Sequence, residues 1–392
     1  MRIVLLLLFI CFPILVFTQD SIWLGKTTGK LPFLEYGIGE DRLGGAKMGY
    51  LDSNIQLKII DSFNTDYKVR LSANHTAYIP KENVVLIRKE RNRKIIHNPD
   101  LSGSFKVFGD ADYDYVMVNL PGSMPYRSFQ LIEPSRILVD IFGVTSNTNW
   151  ISQLKSVKEI KNTWYEQAED DLFRVFIELK HPQHWGYKIG YDSTGKRLVV
   201  RVKRQPTVLD IRKLSIAIDA GHGGDNSGAT GYSGTALEKD YTLLIAKELE
   251  KTLTKAGVKK LMMTRTKDTS LGMLDRAEMV RDFNPDLLLS IHLNSGNSDT
   301  AQGVSTYYRY IGFRSLSVAI LNQLMSIGLK EYGNTGSFNF ALNGPTEFPN
   351  TLIEVAFLSN PQDEKKILNP KFRKLVAQKI YLGIMDWLKS LH

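Results

Sequence analysis

The chain has 392 residues, with 50 lysines and arginines against 41 aspartates and glutamates, for a formal net charge of +9. Apolar residues make up 43% and charged residues 23%, a globular composition that excludes disorder over most of the length; at about 150 residues per domain it predicts two to three domains. A single cysteine excludes a disulfide scaffold and any zinc site built on several thiolates.

The elements begin with a leader. Met1-Arg2-Ile3 is a short basic start, and Ile3 to Phe17 is an apolar run too short for a comfortable membrane span. It has the pattern of a signal peptide over residues 1–19, with cleavage near Thr18 or Gln19. Cys11 lies inside it and is expected to leave with it. The mature protein is then exported, without a further membrane span.

Residues 20–95 read as short strands. Ile55-Gln56-Leu57-Lys58-Ile59-Ile60, Tyr67-Lys68-Val69-Arg70-Leu71 and Ala77-Tyr78-Ile79-Pro80 alternate over five or six residues between turns, which predicts a small antiparallel barrel or sandwich. With Gly44-Gly45-Ala46-Lys47-Met48-Gly49-Tyr50, this segment resembles a bacterial SH3-type domain. A basic run, Arg88-Lys89-Glu90-Arg91-Asn92-Arg93-Lys94, then reads as a solvated linker.

Residues 101–205 are again strands by pattern. Tyr115–Leu120, Arg136–Phe142, Phe173–Leu179 and Arg197–Val202 are β-branched runs separated by turns, as in a β-sandwich. The stretch Tyr126 to Gly143, around Pro134-Ser135-Arg136-Ile137-Leu138-Val139-Asp140-Ile141-Phe142, resembles the AMIN domain. That resemblance implies targeting to peptidoglycan or to particular envelope sites. Tyr113, Tyr115, Trp164 and Trp185 read as packing residues in preference to a sugar platform.

From residue 206 onward, strand-like and helical runs alternate. Tyr241, Leu244, Ile245, Leu249 and Leu253 recur at helical spacing, and Gly257 is placed to end that helix. Uniformly apolar strands separated by helices predict an α/β domain over 210–392 with a mostly parallel twisted sheet flanked by helices. Such sheets carry their sites beyond the carboxyl ends of the strands. His222 follows the first buried strand, in Ile218-Asp219-Ala220-Gly221-His222-Gly223-Gly224, and His292 closes Leu287-Leu288-Leu289-Ser290-Ile291. Glu238 stands at the start of the first helix. Glu354 lies within the apolar strand Leu352-Ile353-Glu354-Val355-Ala356-Phe357, where an acidic residue is costly to bury without a partner.

Two imidazoles and a carboxylate form a common catalytic zinc set with a fourth position for water, and a second carboxylate is needed to move the water's proton. His222, Glu238 and His292 are the candidate metal ligands, and Glu354 is the candidate general base and acid. The motifs Asp219-Ala-Gly-His-Gly-Gly224, Glu238-Lys-Asp240, Ser290-Ile-His-Leu-Asn294 and Leu352-Ile-Glu-Val-Ala-Phe-Leu-Ser-Asn-Pro361 resemble the zinc-dependent N-acetylmuramoyl-L-alanine amidases of the Amidase 3 family. Thr264-Arg265, Arg276-Ala277, Gly303 and Asp363-Glu364 fit as well.

The resemblance implies one Zn2+ per chain on His222, Glu238 and His292, catalysis by Glu354, and substrate contacts from Asn294 and Arg276. The reaction implied is hydrolysis of the amide between the lactyl group of N-acetylmuramic acid and L-alanine of the stem peptide, serving cell-wall remodelling or daughter-cell separation. Asn226-Ser227 depart from a usual Asp-Pro, Val280-Arg281 from Ala-Asn, and Leu293 from a smaller residue. None of these is expected to touch a proposed ligand. Tyr308 to Arg314 leaves no room for the long blocking insertion found in some relatives, so control is expected from the N-terminal modules or from localisation.

Two rival readings remain open: a zinc peptidase acting within stem peptides, and a non-catalytic envelope-binding protein. A nucleic-acid partner is excluded by export and by the absence of a matching motif. The expected partners are peptidoglycan and an envelope activator or division-site protein reached through residues 20–205. The expected location is the periplasm, with the outer cell wall as the alternative, and the expected state is a monomer. Residues 206–392 carry a net +3 and the upstream part +6, so the basic excess lies mainly outside the catalytic half and suits an anionic envelope.

Overall fold

The computed structural model describes residues 21–39, 44–91 and 100–391. The leader with Cys11, and residues 92–99 of the basic linker and its continuation, lie outside the described residues.

The first segment forms a seven-stranded antiparallel sheet. Its spatial order is Lys47–Tyr50, Phe33–Glu35, Thr76–Pro80, Asp66–Arg70, Gln56–Ser62, Ser21–Thr27 and Val84–Arg91. Leu57 and Ile59 point inward while Gln56 and Lys58 are exposed, the two-residue period that a half-buried strand requires. The second segment is a sandwich of two sheets, one of five strands and one of four. Val116, Val118, Val200 and Val202 from one sheet meet Ile137, Val139, Val175 and Ile177 from the other. Leu57, Ile59 and Val69 of the first segment join the same continuous core. The two N-terminal segments therefore share one interior, although their sequences read as separate modules joined by a linker.

The third segment supplies the α/β layer. Its elements are β1 (Ser215–Ala220), α1 (Glu238–Lys255), β2 (Lys260–Met263), α2 (Met273–Phe283), β3 (Leu287–Asn294), β4 (Val304–Tyr307), α3 (Arg314–Met325), β5 (Glu331–Thr335), β6 (Asn350–Phe357), α4 (Pro361–Leu368) and α5 (Pro370–Lys389). The sheet order is β2-β1-β3-β6-β4-β5, parallel except that β4 runs against β6.

Alternation along the strands decides which side chains reach the site. Ile216, Ile218, Leu287, Leu289 and Ile291 face the large core that α1, α3 and α5 cover. Ala217 and Leu288 face a smaller core with Ala277 and Val280 of α2. By the two-residue period, Asp219, Ser290, His292 and Asn294 share that second face. Polar groups at the strand ends thus fall on the less heavily covered side of the sheet.

The N-terminal segments pack on the α/β layer. Trp185 of the sandwich meets Trp387 of α5, with ring centroids 5.2 Å apart, and both rings are fully buried. Gln183 ties Gly312 and Ser315 to this contact. Lys30 of the first segment pairs with Glu278 on α2. Among the described residues, no helix is long and apolar enough to cross a membrane.

Candidate metal centre

The carboxyl ends of β1 and β3 lie side by side, with Ala220 in register with Ile291. Beyond β1, the chain must turn at once to expose His222. Gly223 and Gly224 take positive φ angles, and His222 itself sits in the left-handed region at φ 61°. That conformation costs a side-chain-bearing residue about 1 kcal/mol. Glycine is also required at 221, because a Cβ there would lie 2.4 Å from the His292 ring.

Glu238 reaches in from the first turn of α1. Its Oε1 accepts from Leu293 N at 3.0 Å and its Oε2 from Ala229 N at 2.8 Å. Each oxygen also faces one imidazole: Oε1 lies 3.1 Å from His292 Nδ1, and Oε2 lies 3.1 Å from His222 Nε2. One ligand-capable atom from each of His222, Glu238 and His292 lies within 4.8 Å of the others. Burial alone would push the Glu238 carboxyl up, but the two histidines overcome it and hold it well below the ordinary carboxylate range. Burial disfavours the His292 cation, yet Glu238, Glu354 and Asp219 outweigh it and raise its pKa.

The donor set fits a divalent cation. Asn226 Oδ1 accepts from Gly228 N at 3.1 Å, which fixes the amide's orientation, and it lies 2.9 Å from His222 Nδ1. The proton of neutral His222 is therefore on Nδ1, leaving a lone pair on Nε2 turned toward a carboxylate oxygen. Two acceptors at that distance repel unless a proton or a metal ion lies between them. In addition, His292 Nε2 is buried with no hydrogen-bond partner. Histidine nitrogens and a carboxylate suit zinc, and no thiolate is involved.

Glu354 is half-buried on β6, in register with His292 on β3 and opposite Ser305 on β4. Its charge acts on His292 and on Tyr307, whose phenol is pushed up by burial and by Glu354. Asn294 lies at the end of β3 and bonds Tyr307, which also accepts from Ser305 Oγ at 3.2 Å. The structure thus brings His222, Glu238, His292, Glu354 and Asn294 to one end of the sheet.

Arg276 requires a correction. It is 2% exposed and lies beneath the site, out of reach of a substrate. Its Nη1 donates to Asp219 Oδ1 at 2.7 Å and to Ala220 O at 2.8 Å, and its Nη2 donates to His222 O. Asp219 also accepts from Thr264 Oγ1 at 2.7 Å and Ser290 Oγ at 2.6 Å. Arg265 gathers the carbonyls of Ala220, Gly221 and Lys239. Two arginines therefore hold the turn that aims His222, so Arg276 belongs to the scaffold. The departures from the family pattern need a second correction, because two of them touch proposed ligands: Asn226 bonds His222 through its side chain, and Leu293 bonds Glu238 through its backbone N–H. Aromatic neighbours were not legible in the sequence. Phe340 stands edge-on to His292 with centroids 5.4 Å apart, and Phe338 packs on Tyr307 at 4.5 Å.

Comparison with known proteins places these residues in a family. Residues 216–386 match the N-acetylmuramoyl-L-alanine amidase family model, and residues 106–202 match the AMIN domain. The probable cell wall amidase LytH of Staphylococcus aureus is 34% identical over 177 residues, which is 45% of this chain and 59% of that protein. The chain thus spans less than two thirds of the length of the curated relatives it matches. Among solved structures, an N-acetylmuramoyl-L-alanine amidase from Clostridium difficile 630 is 33% identical, covering 45% of this chain and 98% of its own, with a TM-score of 0.44. The catalytic domain of CwlV from Bacillus (Paenibacillus) polymyxa var. colistinus is 31% identical, with coverage of 45% and 98% and a TM-score of 0.43. Through residues 216–386 the chain belongs to the N-acetylmuramoyl-L-alanine amidase family, with an AMIN domain in front of that domain.

Proposed function

We propose that the protein is an exported peptidoglycan amidase that cleaves the bond between the lactyl group of N-acetylmuramic acid and L-alanine of the stem peptide. The observation that carries this reading is the convergence of His222, Glu238 and His292 within the segment that matches the family. These three residues would hold one zinc ion, which when bound supplies a Lewis acid for the scissile carbonyl and lowers the pKa of a water. Glu354, in register with His292, takes a proton from the attacking water and returns it to the leaving amine of L-alanine. Asn294 contacts the substrate from the end of β3. The buried pair Asp219–Arg276 keeps the His222 turn in place.

The division into a signal peptide (1–19), an SH3-like domain (20–95), an AMIN domain (101–205) and a catalytic domain (210–392) belongs to the same reading. So do a periplasmic location, and an envelope partner bound through residues 20–205. Digestion of purified sacculi by the full chain, followed by mass spectrometry of the released material, tests the bond assignment. Stem peptides with a free L-alanine amino terminus, suppressed by a chelator and restored by zinc, are expected. Shortened stems would replace this reading with that of a stem-peptide peptidase.

A further inference from the structure

The chain between β5 and β6, residues 336–349, runs along the metal centre, and the amidase chemistry gives it no role. Two of its phenylalanines face the site. Phe340 stands edge-on to the His292 ring at an interplanar angle of 85°, and Phe338 packs on Tyr307 and lies 6.3 Å from Phe340. Asn339, between them, is held from outside the catalytic domain. Its Nδ2 donates to Gly45 O at 2.7 Å, and its Oδ1 accepts from Lys47 N at 3.3 Å. Arg309 completes the knot, donating from Nη1 to Asn339 Oδ1 at 2.9 Å and from Nη2 to the Lys47 carbonyl.

A second contact reinforces the first. Leu31, in a loop of the N-terminal segment, packs with Phe340 against the small core of Ala217, Leu288, Leu342 and Phe348. That core lies on the sheet face that carries His292. Within the catalytic domain Phe338 N donates to Tyr308 O and Phe340 O accepts from Asn343 N, and between these two anchors the Asn339 side chain is held by the peptide units at Gly45 and Lys47.

We infer that Asn339 is a positioning residue through which the N-terminal sheet sets Phe338 and Phe340 as the aromatic wall of the catalytic site. The wall presents apolar surface beside the metal centre, suited to the apolar face of a muramoyl sugar or the methyl groups of its lactyl-alanyl arm. Catalysis in the α/β domain then depends on a module that contributes no ligand and no catalytic group. This inference rests on the amidase reading for its substrate, but its geometry can be measured without one.

The test uses the full chain as wild type, Asn339→Ala and Asn339→Asp, with Arg309→Gln as a second route to the same knot should Asn339→Ala not fold. Three quantities are read: thermal midpoint, kcat and KM on soluble muropeptides, and the His292 ring resonance in histidine-labelled protein. We expect Asn339→Ala to lower the thermal midpoint by several degrees and still fold, as for the loss of three part-buried hydrogen bonds. Its kcat/KM should fall about tenfold, mainly through KM, because a wall residue displaced by about an ångström misplaces the substrate. The His292 resonance should move as Phe340 leaves its ring, and Asn339→Asp, which keeps the acceptor, should recover part of both effects. An unchanged kcat/KM with an unmoved His292 resonance overturns the inference. If wild type releases no L-alanine-terminated stems, the amidase reading fails, and the His292 resonance alone then decides: displaced, it upholds the coupling, and unmoved, it overturns it.

Discussion

Two buried carboxylates on the same side of the catalytic domain have opposite surroundings. Asp219, at the end of β1, has its charge balanced inside the protein. Arg276, Thr264 and Ser290 supply donors at 2.6–2.7 Å, and together with His292 they overcome burial and hold its carboxyl below the ordinary range. Glu238, at the start of α1, accepts two backbone N–H groups and otherwise faces two imidazoles. A carboxylate matched by a guanidinium is complete as it stands. One whose charge is shared between two imidazoles can trade their protons for a metal ion, and this separates the scaffold from the site.

The comparison breaks most visibly on metal content. Glu238→Gln and His292→Ala should each lower bound zinc, measured by elemental analysis after dialysis, and reduce turnover by a factor of about 10³ or more. Glu354→Ala should retain the metal and lose turnover to a similar degree. Metal lost from Glu354→Ala, or full activity in it, would remove Glu354 from its assigned role.

Asp219 should respond in stability instead. Arg276→Met leaves the Asp219 carboxylate buried without its cation, which costs about 3–5 kcal/mol in denaturant unfolding. Zinc in the fraction that folds should fall less than in Glu238→Gln, because Arg265 still holds the carbonyls of the turn that aims His222. A variant with normal stability would show that the pair is not the internal balance described above.

These roles were only partly legible in sequence. His222 and His292 could be placed because each follows an uninterrupted apolar strand, and parallel sheets put their chemistry at that end. Glu354 stood out as an acid within such a strand. Arg276 was misread because an arginine near a helix start carries no mark of burial, and its carboxylate partner lies 57 residues earlier. The contacts between modules were hidden for another reason. Asn339 and Gln183 bind backbone groups at Gly45, Lys47 and Gly312, and a carbonyl or N–H has no sequence signature. Asn226 was visible as a departure, but its bond to His222 depends on the turn geometry between them.

A further contrast concerns His184, a buried histidine with no carboxylate beside it. Its Nε2 donates to Leu131 O at 2.8 Å, Nδ1 has no partner, and burial lowers its pKa to about 4. In the unfolded chain the ring takes up a proton near pH 6.5, before the folded state does. Stability therefore falls as pH drops from about 6.5 to about 4, by about 3 kcal/mol, and this component is absent above that window. His184→Gln should flatten that part of the stability profile. A profile identical to wild type would mean that His184 is reached by solvent.

The finest test of the contrast is Asn226→Asp. At present an amide oxygen accepts the proton of His222 Nδ1, a weaker acceptor than the carboxylate that the family pattern places there. A carboxylate at the same point would make the imidazole more basic and fix its ring more firmly, both of which favour a cation at Nε2. It would also add negative charge beside Glu238, and that again favours a cation over an empty trio. Zinc retention in competition with a chelator should therefore improve by up to about tenfold, with little change in thermal midpoint once the metal is removed. Weaker retention in Asn226→Asp would mean that the amide is matched to this turn, and that orientation at His222 outweighs basicity.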